Sequence, residues 1–162
     1  MKKPNFFQRL IHRIVMWKPV TAFFAPRLHR LDEFVLRWSG NRFAVSQLAG
    51  WTIIQLTTLG AKSNLPRTTP LIGVVDGEKV ALVASSFGRA HHPAWYHNLK
   101  VHPECEVTLH GKAGRYLARE TEGEEYQHYW KMAVSIYAGY EKYKERAAPR
   151  RIPVMVLEPK IS

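Results

Sequence analysis

Four short stretches of the sequence bring together residue types that can do chemistry. Gly60-Ala-Lys-Ser-Asn-Leu-Pro-Arg67 sets two cations, a hydroxyl and an amide within one short loop behind a glycine. Backbone amides in such a turn, with Lys62 and Arg67, suit a phosphate or a carboxylate. A solvated basic hairpin loop is the alternative. Ala84-Ser-Ser-Phe-Gly-Arg89 is a small-residue loop behind an apolar run, and it lets a planar ligand approach the backbone. His92-Pro-Ala-Trp-Tyr-His-Asn-Leu99 offers two adjacent aromatics and an asparagine near a helix start. Tyr137-Ala-Gly-Tyr-Glu-Lys-Tyr143 places three phenols three residues apart, neighbours on a helix. Tyrosine is also a frequent amphipathic cover for a core.

Other chemistries find little support. There is no glycine-rich dinucleotide fingerprint, no Walker loop, no G-x-S-x-G and no H-E-x-x-H. His91, His92, His97 and His102 crowd one stretch. No aspartate lies among them, and Glu104 has no helical pairing with two of them, so hydrogen-bonding or surface roles are expected and no metal. The single cysteine, Cys105, excludes an internal disulfide and a cysteine-based zinc site.

The elements that must position these stretches follow from the spacing. Trp51–Thr58 is rich in β-branched residues and stops at Gly60. Residues 68–75 and 79–84 flank Asp76-Gly77, and residues 106–110 and 114–120 flank Gly111-Lys112, which predicts two hairpins. Residues 152–158 form a last strand. One helix is predicted over about 93–101, with Pro93 suited to its start. Another is predicted from Thr121, where Thr121-Glu-Gly-Glu124 has the form of a capping box. Six strands with hairpin connections and few helices argue for a small antiparallel barrel of the α+β class, mainly antiparallel β.

The chain has 162 residues, 46% hydrophobic, 12% aromatic and 23% charged, which suits one folded domain and excludes a disordered tail, a collagen repeat or a coiled coil. Its net charge is +11. Residues 1–30 carry seven of the cations and no acid, leaving seventeen cations against thirteen acids for the rest. Phe6, Phe7, Leu10, Ile11, Ile14 and Val15 recur at helical spacing, with Gln8, Arg9, His12 and Arg13 opposite. A basic amphipathic helix of this kind fits a membrane interface, or packs on its own domain. Residues 19–30, with Pro19 and Pro26, read as a connector, and 31–41 as a short helix ended by Gly40. The organisation expected is therefore 1–30 as basic helix and connector, and 31–162 as the barrel domain. A basic patch without a recognition motif gives no nucleic-acid partner. No apolar run reaches the roughly 18 residues that span a bilayer, and polar residues break any secretory h-region, so a cytoplasmic location is expected.

Taken in order, Leu56–Leu71, Ala84-Ser-Ser86, His92–Lys100, the Tyr137–Tyr143 trio and the closing Ile152-Pro-Val-Met-Val-Leu-Glu-Pro159 resemble the deazaflavin (F420)-dependent nitroreductase and quinone reductase family. The resemblance implies a split β-barrel of the flavin-reductase, FMN-binding type that binds coenzyme F420, whose phosphate and polyglutamate tail would meet Lys62 and Arg67. It further implies cofactor contacts at Ser63, Thr68, Pro70, Ala84, Ser85, Ser86, Ala94, Trp95 and Asn98. Ser85, Tyr137, Tyr140 and Tyr143 would border the acceptor pocket, with Tyr140 or Ser85 hydrogen-bonding the acceptor. The implied reaction moves a hydride from reduced F420 to a quinone or nitro-type acceptor. FMN in the same barrel, or a membrane-associated binding protein without turnover, are the alternatives. Members often begin with an amphipathic helix at the membrane, which implies peripheral contact through residues 1–18 at its inner face. Barrels of this kind often form homodimers, which covers sheet edges. Two departures stand out. Ala61 replaces a usual basic residue, and Ser86-Phe87-Gly88 replaces a Lys or Asn followed by two glycines, so that Phe87 would narrow the pocket mouth.

Overall fold

The computed structural model describes residues 51–160, of which all but Trp51 belong to the compact unit Thr52–Ser162. The expected helix over residues 6–15, the connector 19–30, the helix 31–41, the domain boundary at 30 and the membrane-facing segment 1–18 lie outside the described residues.

Seven strands are described: β1 (Ile53–Leu59), β2 (Pro66–Ile72), β3 (Val74–Asp76), β4 (Lys79–Val83), β5 (Glu104–Leu109), β6 (Lys112–Glu120) and β7 (Val154–Pro159). They form one antiparallel sheet in the order β2-β1-β5-β6-β7-β4-β3. Its two edge strands, β2 and β3, are successive stretches of one chain segment broken at Gly73. The stretch predicted as one strand over 68–75 is thus two, and the break is what curls the sheet. A side chain at Gly73 would lie 2.9 Å from Ile54 Cγ2 on β1 and 3.2 Å from Val80 Cγ1 on β4. Those strands are four places apart in the sheet order, so its two ends meet over this glycine.

Burial explains the sequence patterns. β1 alternates, pointing Ile54, Leu56 and Thr58 inward. β4 and β7 read as unbroken apolar runs and are buried almost throughout. The reason is a second layer: helix α2 (Gly123–Ile136) lies against β3, β4 and β7 and buries Tyr126, Tyr129, Trp130 and Ala133, a stripe at helical spacing. The barrel core joins Leu56, Leu82, Val107, Met155 and Leu157 to Trp95 and Leu99 of helix α1 (Ala94–Val101). Each such aliphatic side chain contributes about 1.5–3 kcal/mol by leaving water.

The hairpin turns fall one residue from the predicted dipeptides. Asp76 pairs with Lys79 around Gly77-Glu78, and Leu109 with Lys112 around His110-Gly111. His110 and Gly111 both have positive φ, 51° and 78°, as a type I′ turn requires. The expected capping box is absent. Helix α2 starts after Glu122 with no side-chain cap, and the Thr121 hydroxyl donates to the Val154 carbonyl at 3.0 Å instead. Thr121 is 1% exposed, and its N–H (2.9 Å) and its hydroxyl both close on the Val154 carbonyl, which ties the residue to β7 and turns its side chain away from the helix start.

Candidate functional site

The antiparallel order makes β1, β6 and β4 run the same way. The loops after β1 and β4 and the residues before β7 therefore meet at one end of the barrel, where the sequence placed its chemistry.

The first of these loops is a closed turn. Gly60 N–H donates to Leu65 O at 2.9 Å and Asn64 N–H to Gly60 O at 2.8 Å. Asn98, on α1, pins it: Oδ1 accepts the Ala61 N–H at 2.9 Å, and Nδ2 donates to the buried Thr58 hydroxyl at 3.0 Å. Both ends of its amide are thus committed within the chain. Lys62, Ser63, Arg67 and Thr68 are exposed on this platform, with Thr68 Oγ1 2.9 Å from Thr57 Oγ1, and Pro70 is half-buried opposite Gln55. Lys79, Lys100, Arg119 and Lys160 each have a carboxylate partner. The expected loop 60–67 closes at Leu65, and Arg67 already belongs to β2; among the described residues neither Lys62 nor Arg67 has such a partner, which leaves two cations at and beside the held turn for an outside anion.

The second loop is strained and clamped. Ala84 N–H donates to Pro153 O and Ser85 N–H to Val83 O. Ser86, Phe87 and Gly88 then all take positive φ, 50°, 58° and 76°. Gly88 N–H to Ser85 O (3.0 Å) and Arg89 N–H to Ser86 O (3.1 Å) close one left-handed turn. For Ser86 and Phe87 this conformation costs about 1–2 kcal/mol each. The offset comes from Arg150, just before β7. Its guanidinium donates to Ser85 O at 2.8 Å, Arg89 O at 3.0 Å, Ala84 O at 3.3 Å and His92 Nδ1 at 2.9 Å. Hydrogen bonds from a charged donor are worth about 1.5–3 kcal/mol each, enough to hold such a turn. The turn also seats on helix α3 (Gly139–Ala147): a side chain at Gly88 would lie 2.8 Å from Arg146 Cβ and 3.0 Å from Tyr143 O.

His92 is held from behind. Arginine only donates, so Nδ1 of His92 accepts and the proton of the neutral ring sits on Nε2. Burial lowers the pKa of this imidazole first, and Arg150 lowers it further. The His92 ring lies 4.7 Å from the ring of Tyr96. The Tyr96 hydroxyl donates to Glu120 Oε2 at 2.9 Å, and Lys100 reaches the same oxygen at 3.1 Å. Burial, then this carboxylate, push the Tyr96 phenol up to about 12. Of the histidine crowd, His92 bonds Arg150 and His91 Nδ1 lies 3.1 Å from the His92 carbonyl, and no three potential metal ligands converge among the described residues.

The three predicted phenols do come together, although not on one helix. Tyr137 closes α2, while Tyr140 and Tyr143 belong to α3. The Tyr137 and Tyr143 hydroxyls are 3.0 Å apart, and the ring centroids are separated by 5.4, 5.8 and 6.2 Å. All three are buried, which raises each phenol's pKa and keeps it a protonated donor. The Tyr140 hydroxyl has no hydrogen-bond partner among the described residues. Phe87 stands 58% exposed with its ring edge-on to Tyr143 at 6.0 Å.

The structure seats Phe87 and Gly88, which follow Ser85 and Ser86, on Tyr143 and Arg146 of α3, and it pins the loop after β1 to α1 through Asn98. Ala94 is exposed at the start of that helix. Trp95 (6% exposed) and Ala84 (0%) bury their side chains in the barrel core. Arg150, Thr58 and the Tyr96–Glu120 pair were not expected from the sequence.

A family model described as F420H(2)-dependent quinone reductase matches residues 29–159. An F420H(2)-dependent quinone reductase of Mycobacterium tuberculosis is 33% identical over 134 residues, covering 81% of this chain and 89% of that protein. A solved structure described as an F420-H2 dependent reductase is 42% identical over 66% of this chain and 94% of its own, with a TM-score of 0.62. Another, described as a domain-swapped dimer, is 35% identical over 85% of this chain and 98% of its own, with a TM-score of 0.63. The curled seven-stranded sheet is that of the split β-barrel of flavin-reductase type. The order of the motifs, the barrel that gathers them at one end and these matches agree, and the chain belongs to the F420H(2)-dependent quinone reductase family.

Proposed function

We propose that this protein transfers a hydride from reduced coenzyme F420 to a quinone. The observation that carries the reading is that Lys62, in the pinned turn after β1, and Arg67, at the start of β2, meet no carboxylate among the described residues, at the barrel end that also holds neutral buried phenols. A cofactor bearing a phosphate and tail carboxylates fits such a loop. When bound, reduced F420 supplies the hydride, while the protein supplies binding, orientation and electrostatics.

The chain's own residues divide this work. Lys62 and Arg67 bind the anionic groups, with the Ser63 and Thr68 hydroxyls beside them. Ala94 and Trp95 act through amides at the start of α1, and Asn98 acts through the loop it holds. Pro70, Ala84 and Ser86 frame the ring and its linker. Tyr140, the phenol without a partner among the described residues, and Ser85 hydrogen-bond the acceptor oxygen and steady the negative charge that develops there. Tyr137 and Tyr143 wall the acceptor pocket and hold each other's hydroxyls. Nitro-type acceptors present similar oxygens and form the second class to assay.

The remaining parts of the reading concern surroundings. A second copy of the chain is proposed to cover β2, an edge strand none of whose residues is buried. Residues 1–30, which carry seven cations and no acid, are proposed as a segment apart from the 31–162 cofactor domain. Residues 1–18 would rest on the inner face of the membrane of a cytoplasmic protein. No helix among the described residues is long and apolar enough to cross a bilayer. Deleting residues 1–18 should abolish sedimentation with anionic liposomes and spare F420 binding.

The test of function is optical. Reduced F420 should be oxidised only when a menadione-like quinone is added, and Tyr140→Phe should lower turnover about tenfold or more with F420 affinity nearly intact. Binding without acceptor-dependent oxidation refutes the reading, as does oxidation of reduced FMN in place of F420.

A further inference from the structure

Arg150 sits in a stretch, Ala147-Ala-Pro-Arg-Arg151, that offers no motif, yet it touches the loop of residues 84–92 at four points. Three of those points are main-chain carbonyls and the fourth is a neutral imidazole. Between the carbonyls lies the left-handed turn Ser86–Gly88, which carries Ser85 at one end and presents Phe87 to solvent. The turn's other contact is with Tyr143 and Arg146 of α3. Nothing in the turn's own sequence prescribes two consecutive left-handed non-glycine residues. Its shape is imposed from outside, and the fork of Arg150 is the group that reaches both of its ends.

We propose that Arg150 and His92 form a positioning pair that sets the Ser85–Gly88 turn for the acceptor, holding it while His92 is neutral and loosening it when His92 is protonated. The proposal rests on the reading of Ser85 and the phenols as the acceptor side of the site. A protonated His92 has no acceptor nitrogen left for Arg150 and places a second cation against the guanidinium. Among the described residues, the charged and titratable groups that face His92 are Arg150 before β7, Tyr96 and His97 on α1, Glu120 at the end of β6 and the adjacent His91. Of these only Glu120 favours the proton, and its Oε2 already accepts from both Tyr96 and Lys100. Arg150 binds carbonyls at both ends of the turn and His92 acts through Arg150, so both are positioning residues.

Hydrogen exchange on the ligand-free protein and steady-state kinetics with reduced F420 and a menadione-like quinone test this together. In Arg150→Lys, which keeps the charge but loses the fork, the amides of 86–89 should exchange faster. Its quinone kcat/KM should fall about tenfold, equivalent to about 1.4 kcal/mol. F420 affinity should fall by no more than about threefold, less than kcat/KM, because Lys62 and Arg67, which bind its anionic groups, lie outside this turn even though Ala84 and Ser86 frame its ring. Wild-type kcat/KM should decline as pH falls below about 6.5, the ordinary histidine value. In His92→Gln, whose amide oxygen accepts at every pH, that decline should vanish. If Arg150→Ala does not fold, Arg150→Lys and His92→Gln carry the test. Unchanged exchange at 86–89 in Arg150→Lys overturns the proposal, and so does an F420 affinity that falls as far as turnover. An acid limb that persists in His92→Gln overturns its pH part. If the wild type does not oxidise reduced F420, the functional reading fails by itself, and the exchange rates still decide whether Arg150 holds the turn.

Discussion

Arg119 and Arg150 carry the same group and use it in opposite ways. Arg119 lies on the outer wall of the barrel, where it meets Glu125 at 2.6 and 2.7 Å and Glu158 at 3.1 Å, and Glu158 also takes Lys79 at 2.7 Å. Every member of that network is a third or more exposed. Arg150 meets no carboxylate among the described residues. Its partners are main-chain carbonyls and a neutral imidazole at the end of the barrel that gathers the candidate site. An ion pair in water is screened and replaceable, whereas a half-buried fork determines the path of the chain it touches. The number of opposite charges around an arginine is thus a poor guide to what depends on it.

Four measurements sharpen or break this contrast. Arg150→Ala should have the largest effect, lowering stability by about 2–4 kcal/mol because it strands several carbonyls at once. Chemical denaturation monitored by circular dichroism reads this directly, and a loss no larger than that of Arg119→Ala breaks the contrast. Asn98→Ala should follow at about 1–3 kcal/mol, since it leaves the Ala61 N–H and the Thr58 hydroxyl without their partner.

The third measurement is the pH profile of stability. The folded pKa of His92 is lowered from 6.5 by burial first and Arg150 second, so its contribution is complete above about 6.5 and is lost as pH falls through that range. Glu125 and Glu158 are lowered from 4.5, the first by Arg119 and the second chiefly by Lys79, so their contribution persists to lower pH and fades only below the usual carboxylate range. His92→Gln should remove the upper limb and leave the lower one. Arg119→Ala comes last, at about 0–1 kcal/mol and less in high salt, with a melt at two ionic strengths as the check.

The same contrast shows what the sequence could reveal. Strands announced themselves through β-branched runs and turn glycines, because hairpins are local. The bend at Gly73 did not, since it answers to Ile54 and Val80, distant in sequence and side by side only once the sheet has curled. The Tyr137–Tyr143 spacing brought the phenols together across a break between helices, where a single helix was expected. Thr121 looked like a cap, and the Val154 carbonyl claimed its hydroxyl. Arg150 was illegible for the deepest reason: the carbonyls it binds belong to residues about sixty positions away, and a carbonyl has no letter in the sequence. Only the fold that sets β4 beside β7 brings them within reach.

In the proposed function, the pinned turn after β1 and the start of β2 are an anion platform for coenzyme F420. Titrating F420 into the protein by fluorescence, with the Lys62→Ala/Arg67→Ala double variant beside the wild type, tests it most directly. The wild type should show saturable binding that weakens with salt, and the double variant a loss of about tenfold or more. Equal affinity in the two proteins, or binding of FMN with F420 excluded, would contradict it.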